Sequence, residues 1–250
     1  GNLIMAIIIG TFIGFGCSII IEYFDNTIRS VEYIERKNIP ILAIIPSIGN
    51  GFSHKVAQKL RKPNKKKYSS MNNGSGVGHI ERRLITHEEP TSPISEAYRS
   101  LRTSLMYTKK GSQGSLMISS PGPGEGKTTT IINLAITYAN LGRKTILIDG
   151  DLRKPVIHKV FDGKNKIGLT HYLSGTEENY NNIIHPSSID NLDLIYNGAI
   201  PPNPSELLGS GIMKEMIADL KENYDIILFD APPILAVTDS VVLSNLMDQF

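Results

Sequence analysis

Residues 116–130 read LMISSPGPGEGKTTT, with three glycines placed ahead of a lysine and a run of threonines. Gly122, Gly124 and Gly126 allow a turn tight enough for successive backbone N–H groups to converge on one anion. A helix starting at the end of that turn adds the positive end of its dipole. In such a loop Lys127 reaches the β- and γ-phosphates of a nucleotide, and the Thr128 hydroxyl is a ligand for Mg²⁺. The candidate nucleotide-binding segment is therefore Gly122, Pro123, Gly124, Glu125, Gly126, Lys127, Thr128 and Thr129, with ATP and Mg²⁺ as the expected cofactors. One position departs from the strict GxxxxGK[ST] spacing, because Pro121 stands where the first glycine belongs.

Two further segments carry acids at the ends of apolar runs. In DIILFDAPP (225–233) the run ends in Asp230, a carboxylate suited to hold Mg²⁺ directly or through water beside the phosphate loop. In TILIDGDLRKP (145–155) Asp149 and Asp151 are followed by Arg153. Two carboxylates two residues apart at a strand end point to one catalytic edge. One can support Mg²⁺ while the other accepts a proton from an attacking hydroxyl. Asp149 is the candidate proton acceptor, with Asp151 supporting the metal or the geometry; the two roles are interchangeable on sequence grounds. The candidate metal ligands are Thr128, Asp151 and Asp230.

These segments need a scaffold that brings strand ends together, and the chain from Ser95 onwards supplies its pattern. SEAYRSLRTSLMYT has helical amphipathicity, and TTTIINLAITYANLG carries Ile131, Leu134, Ala135, Tyr138 and Leu141 on one stripe, with Gly142 as its stop. SLMISS, TILID, LDLIY and DIILFD are continuous apolar runs of the kind buried on both faces of a parallel sheet. PSELLGSGIMKEMIADLKEN supplies helix between the last two. The expected fold class is α/β, a P-loop NTPase with a doubly wound, mostly parallel sheet, flanking helices and a ligand site at the strands' C-terminal ends.

Ahead of this domain the composition changes twice. Residues 3–21 form an almost unbroken apolar run, about the 20 residues a helix needs to span a bilayer, so 1–23 is expected to be a transmembrane helix. Arg29, Arg36, Lys37 and the lysines from Lys55 to Lys67 all follow it, which places the C-terminal side in the cytoplasm. Residues 24–50 read as a membrane-proximal segment with a short helix, a break at Asn38-Ile39-Pro40 and a strand at ILAII. Residues 51–93 read as a basic, polar linker and 94–250 as the nucleotide-binding domain. The chain has no initiator methionine and closes in what reads as the start of a strand, so it is expected to be cut at both ends.

The bulk figures exclude several classes. A formal charge of +2 over 250 residues gives no argument for nucleic acid. A single cysteine, Cys17, rules out a disulfide framework, and the six histidines have no metal-ligand spacing.

Taken together, the segments at Pro121–Thr128, ILIDGDLRKP and ILFDAPP resemble the bacterial tyrosine kinases of capsule and exopolysaccharide systems. The resemblance matches Asp149, Asp151 and Arg153 to the family's second motif, and Asp230, Pro232 and Pro233 to its third. It makes Lys127, Asp149, Asp151 and Arg153 the catalytic set. Glu96, Arg99 and Arg102 match an E-x-x-R-x-x-R helix implicated in subunit contact; read from spacing alone they are intrahelical ion pairs. PPNPSELL (201–208) and VTDS (237–240) look like family segments, and residues 1–50 resemble the membrane-proximal end of polysaccharide chain-length regulators. The implied activity is transfer of phosphate from MgATP to tyrosine between subunits of a membrane-embedded homo-oligomer. The implied partners are the polysaccharide export machinery and an opposing phosphatase. The family's tyrosine-rich C-terminal tail is not in this sequence.

Two other readings remain. A positioning-type ATPase switch would carry a second lysine early in the loop, where Gly122 stands. A nucleotide-gated, non-catalytic scaffold would use the same binding residues without transferring phosphate.

Overall fold

The computed structural model describes residues 2–24, 31–46, 84–108 and 114–248. The chain divides into two compact units, Gly1–Leu42 and Ala43–Phe250.

In the first unit, helix α1 runs over Asn2–Phe24, 23 residues. Its described apolar side chains stand exposed, among them Ile4, Met5, Ile7, Ile13, Phe15, Ile19 and Ile20. Among the described residues alone, no helix is long and apolar enough to cross a membrane. Several side chains inside α1 lie outside that description, whereas its backbone is helical throughout. A short helix, α2 (Val31–Glu35), follows and stops at Asn38, whose φ is 55°. The amides of Asn38 and Ile39 close back onto Glu35 O and Ile34 O, a left-handed C-terminal stop. The ILAII segment beyond it takes no regular secondary structure and pairs with no strand among the described residues, so the strand expected there is not formed. An apolar run becomes a strand only when a neighbour takes its backbone hydrogen bonds. Most of the expected linker lies outside the described residues.

The second unit holds the sheet. Its elements are α3 (Ile85–Glu88), α4 (Pro93–Thr108), β1 (Gly114–Ile118), α5 (Lys127–Ala139), β2 (Thr145–Asp149), α6 (Ile157–Val160), α7 (Leu169–Leu173), β3 (Ile184–Pro186), β4 (Leu192–Ile195), α8 (Pro204–Leu208), α9 (Gly211–Asn223), β5 (Ile226–Asp230) and α10 (Asp239–Ser244). The strand order is β1-β5-β2-β4-β3. Every pairing is parallel except β3 with β4, an antiparallel edge ribbon that no apolar run in the sequence announces.

Successive strand residues feed two cores. Met117, Ile146, Ile148, Ile195, Ile227 and Phe229 face α9, packing with Met213, Met216, Ile217 and Leu220. Leu116, Leu147, Leu194 and Leu228 face the opposite way, against Ile131–Ala139 of α5. This period of two is what a sheet covered on both faces requires.

The expected single stripe on α5 is wider than the sequence suggested, because every residue from Ile131 to Ala139 is buried. The helices before the sheet cover its outer side. Thr86 donates from its amide and hydroxyl to Asn133 Oδ1, both at 2.9 Å, and Asn133 Nδ2 donates to Thr129 O at 2.8 Å. Packing against the nucleotide-binding domain therefore begins by Leu84, inside the stretch expected to be linker. Leu141 lies past the helix end and is exposed, while Gly142 (φ 81°) forms the stop, with Arg143 N bonded to Tyr138 O. The helical stretch 204–223 breaks into α8 and α9, where Ser210 caps α9 by accepting from Met213 N. The Ser115 amide of β1 donates to Asp248 Oδ2 at 2.9 Å and Asp248 N donates to Ser115 O at 3.0 Å.

Candidate active site

The C-terminal ends of β1, β5 and β2 lie side by side, with Ile118, Asp230 and Asp149 at one level across the three strands. The phosphate-binding loop leaves β1, and α5 begins at its end, so the glycine turn, Lys127 and both acidic segments meet on one edge. Gly124 (φ 82°) and Gly126 (φ 92°) adopt the left-handed conformation that the tight turn demands. Gly126 is the residue at which the turn becomes helix, its carbonyl accepting from Thr130 N at 2.8 Å.

Lys127 Nζ lies 3.1 Å from Asp151 Oδ2 and 3.4 Å from Asp230 Oδ1. Thr128 Oγ1 donates to Asp230 Oδ2 at 2.6 Å. The expected sets of phosphate-loop and metal residues are thus brought together. Burial works against the lysine's charge, but Asp230 and Asp151 outweigh it and hold Lys127 above the ordinary lysine range. Asp230 responds in the opposite sense. Its complete burial pushes the carboxyl up to about 6, with Lys127 and Thr128 only partly opposing. The pair is lopsided because the carboxylate is the more deeply enclosed partner.

Asp149 has no solvent exposure. Its Oδ2 accepts from the amides of Val156 and Ile157, each at 3.1 Å, while its Oδ1 is buried with no hydrogen-bond partner. Burial, followed by the nearby Asp230, holds this carboxyl well above its usual range despite the two amides. Asp151 is buried as well, and its Oδ1 accepts from Lys154 N at 3.0 Å. Among the described residues, no group of three or more His, Cys, Asp or Glu side chains forms an all-protein metal cage. Mg²⁺ needs no such cage, since it keeps waters and takes one or two protein ligands plus substrate phosphates. The Thr128 hydroxyl and the Asp230 carboxylate, in contact with each other and with Asp151 close by through Lys127, are an oxygen donor set that fits it.

Arg153 turns away from this cluster. Its Nε and Nη2 donate to Asp239 Oδ2 and Oδ1 at 2.7 and 3.1 Å, and the Ser205 hydroxyl donates to the same Oδ1. Asp239 and Ser205 were not foreseen as site residues. The only signal was that each falls in a segment, VTDS or PPNPSELL, resembling the family.

Glu96, Arg99 and Arg102 lie on α4, off the catalytic edge. Arg99 pairs with Glu96 one turn away and donates to Pro90 O, the ion pairing that spacing suggests. Arg102 points inward, donating to Thr137 O near the end of α5. Tyr98, on the same helix, bonds Thr130 in the first turn of α5.

Residues 116–246 match the AAA domain family. Tyrosine-protein kinase YwqD of Bacillus subtilis is 44% identical over 170 residues, covering 68% of this chain and 71% of that protein. Tyrosine-protein kinase etk of Escherichia coli is 31% identical over 247 residues, 98% of this chain and 32% of that longer protein. The solved kinase domain of Escherichia coli tyrosine kinase ETK superposes with a TM-score of 0.72 at 30% identity, covering 88% of this chain and 79% of that one.

Proposed function

The chain belongs to the bacterial tyrosine-protein kinases, and on that premise we propose that it transfers the γ-phosphoryl group of MgATP to tyrosine hydroxyls. The observation that carries this reading is the convergence of Lys127, Thr128, Asp149, Asp151 and Asp230 on one sheet edge at the head of the glycine turn.

The loop amides from Gly122 to Thr129 and the head of α5 cradle the phosphates. Lys127 exchanges its two carboxylates for phosphate oxygens. Thr128 and Asp230 would hold Mg²⁺, with Asp151 as a further candidate ligand. Bound there, Mg²⁺ offsets charge on the phosphates during transfer. The acceptor's phenolic proton passes to a carboxylate as its oxygen bonds to the γ-phosphorus and the bond to the leaving ADP oxygen breaks. Asp149 suits the proton-accepting role: its Oδ1 is uncommitted and its proton affinity is raised.

The proposal extends to the rest of the chain. The apolar run of residues 3–21 is proposed to span a membrane, with the kinase domain on the cytoplasmic side, on the strength of the sequence pattern. Glu96 and Arg99, on the exposed side of α4, belong to a contact between subunits of a homo-oligomer, and polysaccharide export is the process served. The proposed division is 1–23 for the span, 24–50 for the membrane-proximal segment and 51–93 for the linker, whose last residues dock on the kinase domain from 94 onwards.

The test is to incubate the protein with MgATP beside Lys127→Met and Asp149→Asn variants and read phosphotyrosine by mass spectrometry. Phosphotyrosine in the wild type, lost in both variants, is expected. Nucleotide binding with no phosphotyrosine in the wild type would overturn the kinase reading in favour of a nucleotide-gated scaffold.

A further inference from the structure

Three segments that are remote in sequence meet at Asp239. This carboxylate has no solvent exposure, yet both its oxygens are used: Arg153 grips them with a two-pronged ion pair and Ser205 adds a third donor. Burial alone would push its carboxyl up, but the hydrogen bonds from Arg153 and Ser205 outweigh it and keep Asp239 ionised. The next residue, Ser240, donates to Pro232 O, two residues after Asp230, and Ser119 donates to the same carbonyl at 2.7 Å. The VTDS segment is therefore tied to the Asp149–Lys154 loop through Arg153 and to the loop after Asp230 through Pro232.

Arg153 itself is not buried; its side chain is 44% exposed. A half-exposed arginine would ordinarily sample many rotamers. Here two of its nitrogens are fixed in a planar fork on Asp239. A lysine could not be held this way, because it offers no bidentate geometry.

We infer that Asp239 is a positioning residue: it fixes Arg153, and through it the loop carrying Asp149 and Asp151, for the transfer step rather than for nucleotide binding. The inference rests on the proposed phosphoryl transfer, in which the loop held by Arg153 carries Asp149 and Asp151. The phosphate-binding loop makes no hydrogen bond to Asp239, so the two substrates should respond differently to its loss.

The experiment compares wild type with Asp239→Asn, Arg153→Ala, the double variant and Ser205→Ala in the full chain. Three quantities are read: the Kd of a fluorescent ATP analogue, the kcat and KM for phosphorylation of a glutamate–tyrosine copolymer, and amide hydrogen exchange across residues 150–156. Asp239→Asn should leave the nucleotide Kd within about twofold and lower kcat by roughly tenfold, the scale of a small misplacement of reacting groups. Exchange should rise in 150–156 and stay unchanged in 116–130. The double variant should fall no further than Arg153→Ala, because both act through one contact. Should Asp239→Asn fail to fold, Ser205→Ala keeps the charge and removes one donor, and should raise exchange in the same segment by a smaller amount. Unchanged exchange in 150–156, or independent multiplying losses in the double variant, would overturn the inference. If the wild type forms no phosphotyrosine, the kinase reading has failed by itself, and the exchange result alone decides whether Asp239 fixes the loop.

Discussion

Asp149 and Asp230 are register partners on adjacent parallel strands, two carboxylates at one level on the sheet edge, both shut off from solvent. Only Asp230 has a cation in contact, through Lys127. The sheet edge therefore encloses two neighbouring carboxyls and brings a cation against one of them, and this arrangement gives the clearest expectations.

The first concerns pH. Asp230 has a carboxyl raised to about 6 against an ordinary value of 3.8. Between those values the folded state binds the proton more tightly than the unfolded state, so stability falls as pH rises from about 4 to 6, then levels off. Asp149 is shifted the same way and adds to the effect. In urea denaturation without nucleotide, Asp230→Asn should show a flatter stability profile across pH 4 to 6 than wild type. An identical slope in both would contradict the burial argument.

Lys127→Met should abolish nucleotide binding and also destabilise the empty protein. Removing one partner from a buried ion pair costs on the order of 3 kcal/mol when the other charge is left alone. That penalty should shrink below about pH 6, where Asp230 takes a proton and no longer needs the ammonium group. Thermal melts at pH 5 and pH 8 measure it, and a deficit of equal size at both would be the wrong answer.

The glycines of the loop should not be equivalent. A Cβ on Gly126 would meet nothing within 4 Å, so Gly126→Ala is harmful only through its φ of 92°, a penalty of about 1–2 kcal/mol. Gly122 has no such φ, and a Cβ there approaches only the tip of the Glu125 side chain, at 3.0 Å. Gly122→Ala should keep nucleotide affinity within a few-fold, with Gly126→Ala losing far more, as read by titration with a fluorescent ATP analogue.

On α4 the two arginines should separate. Arg102→Ala removes a charged donor to Thr137 O and should lower stability by about 1–3 kcal/mol. Arg99→Ala breaks a half-exposed ion pair, which contributes under about 1 kcal/mol, and should leave the melting temperature nearly unchanged. If Arg99 serves subunit contact, light scattering should show smaller assemblies for Arg99→Ala at equal protein concentration.

The sheet was legible because its central strands are apolar on both faces, a pattern that loops and surface helices cannot mimic; β3, three residues including His185 and Pro186, has no such pattern. The meeting of Lys127, Thr128 and Asp230 could be read because they lie next to strand ends, where position along the chain fixes position in space. The partners of Arg153 and Arg102 could not be read the same way. Asp239 is 86 residues from Arg153, and Thr137 is 35 from Arg102, so only tertiary packing selects them. Burial of Asp149 was equally out of reach, since an acid after an apolar run can close a turn in water or be sealed beneath one.

The strand that delivers the phosphate-binding loop, β1, is joined near its start to a residue that follows the last helix, Asp248. Asp248 occupies the amide and carbonyl of Ser115 and is held there by Lys221 at 2.8 Å. A single aspartate thus works as a clasp between β1, α9 and the chain after α10. Loosening it would free the start of the strand whose other end carries the phosphate-binding loop, which couples the loop's rigidity to packing far from the nucleotide.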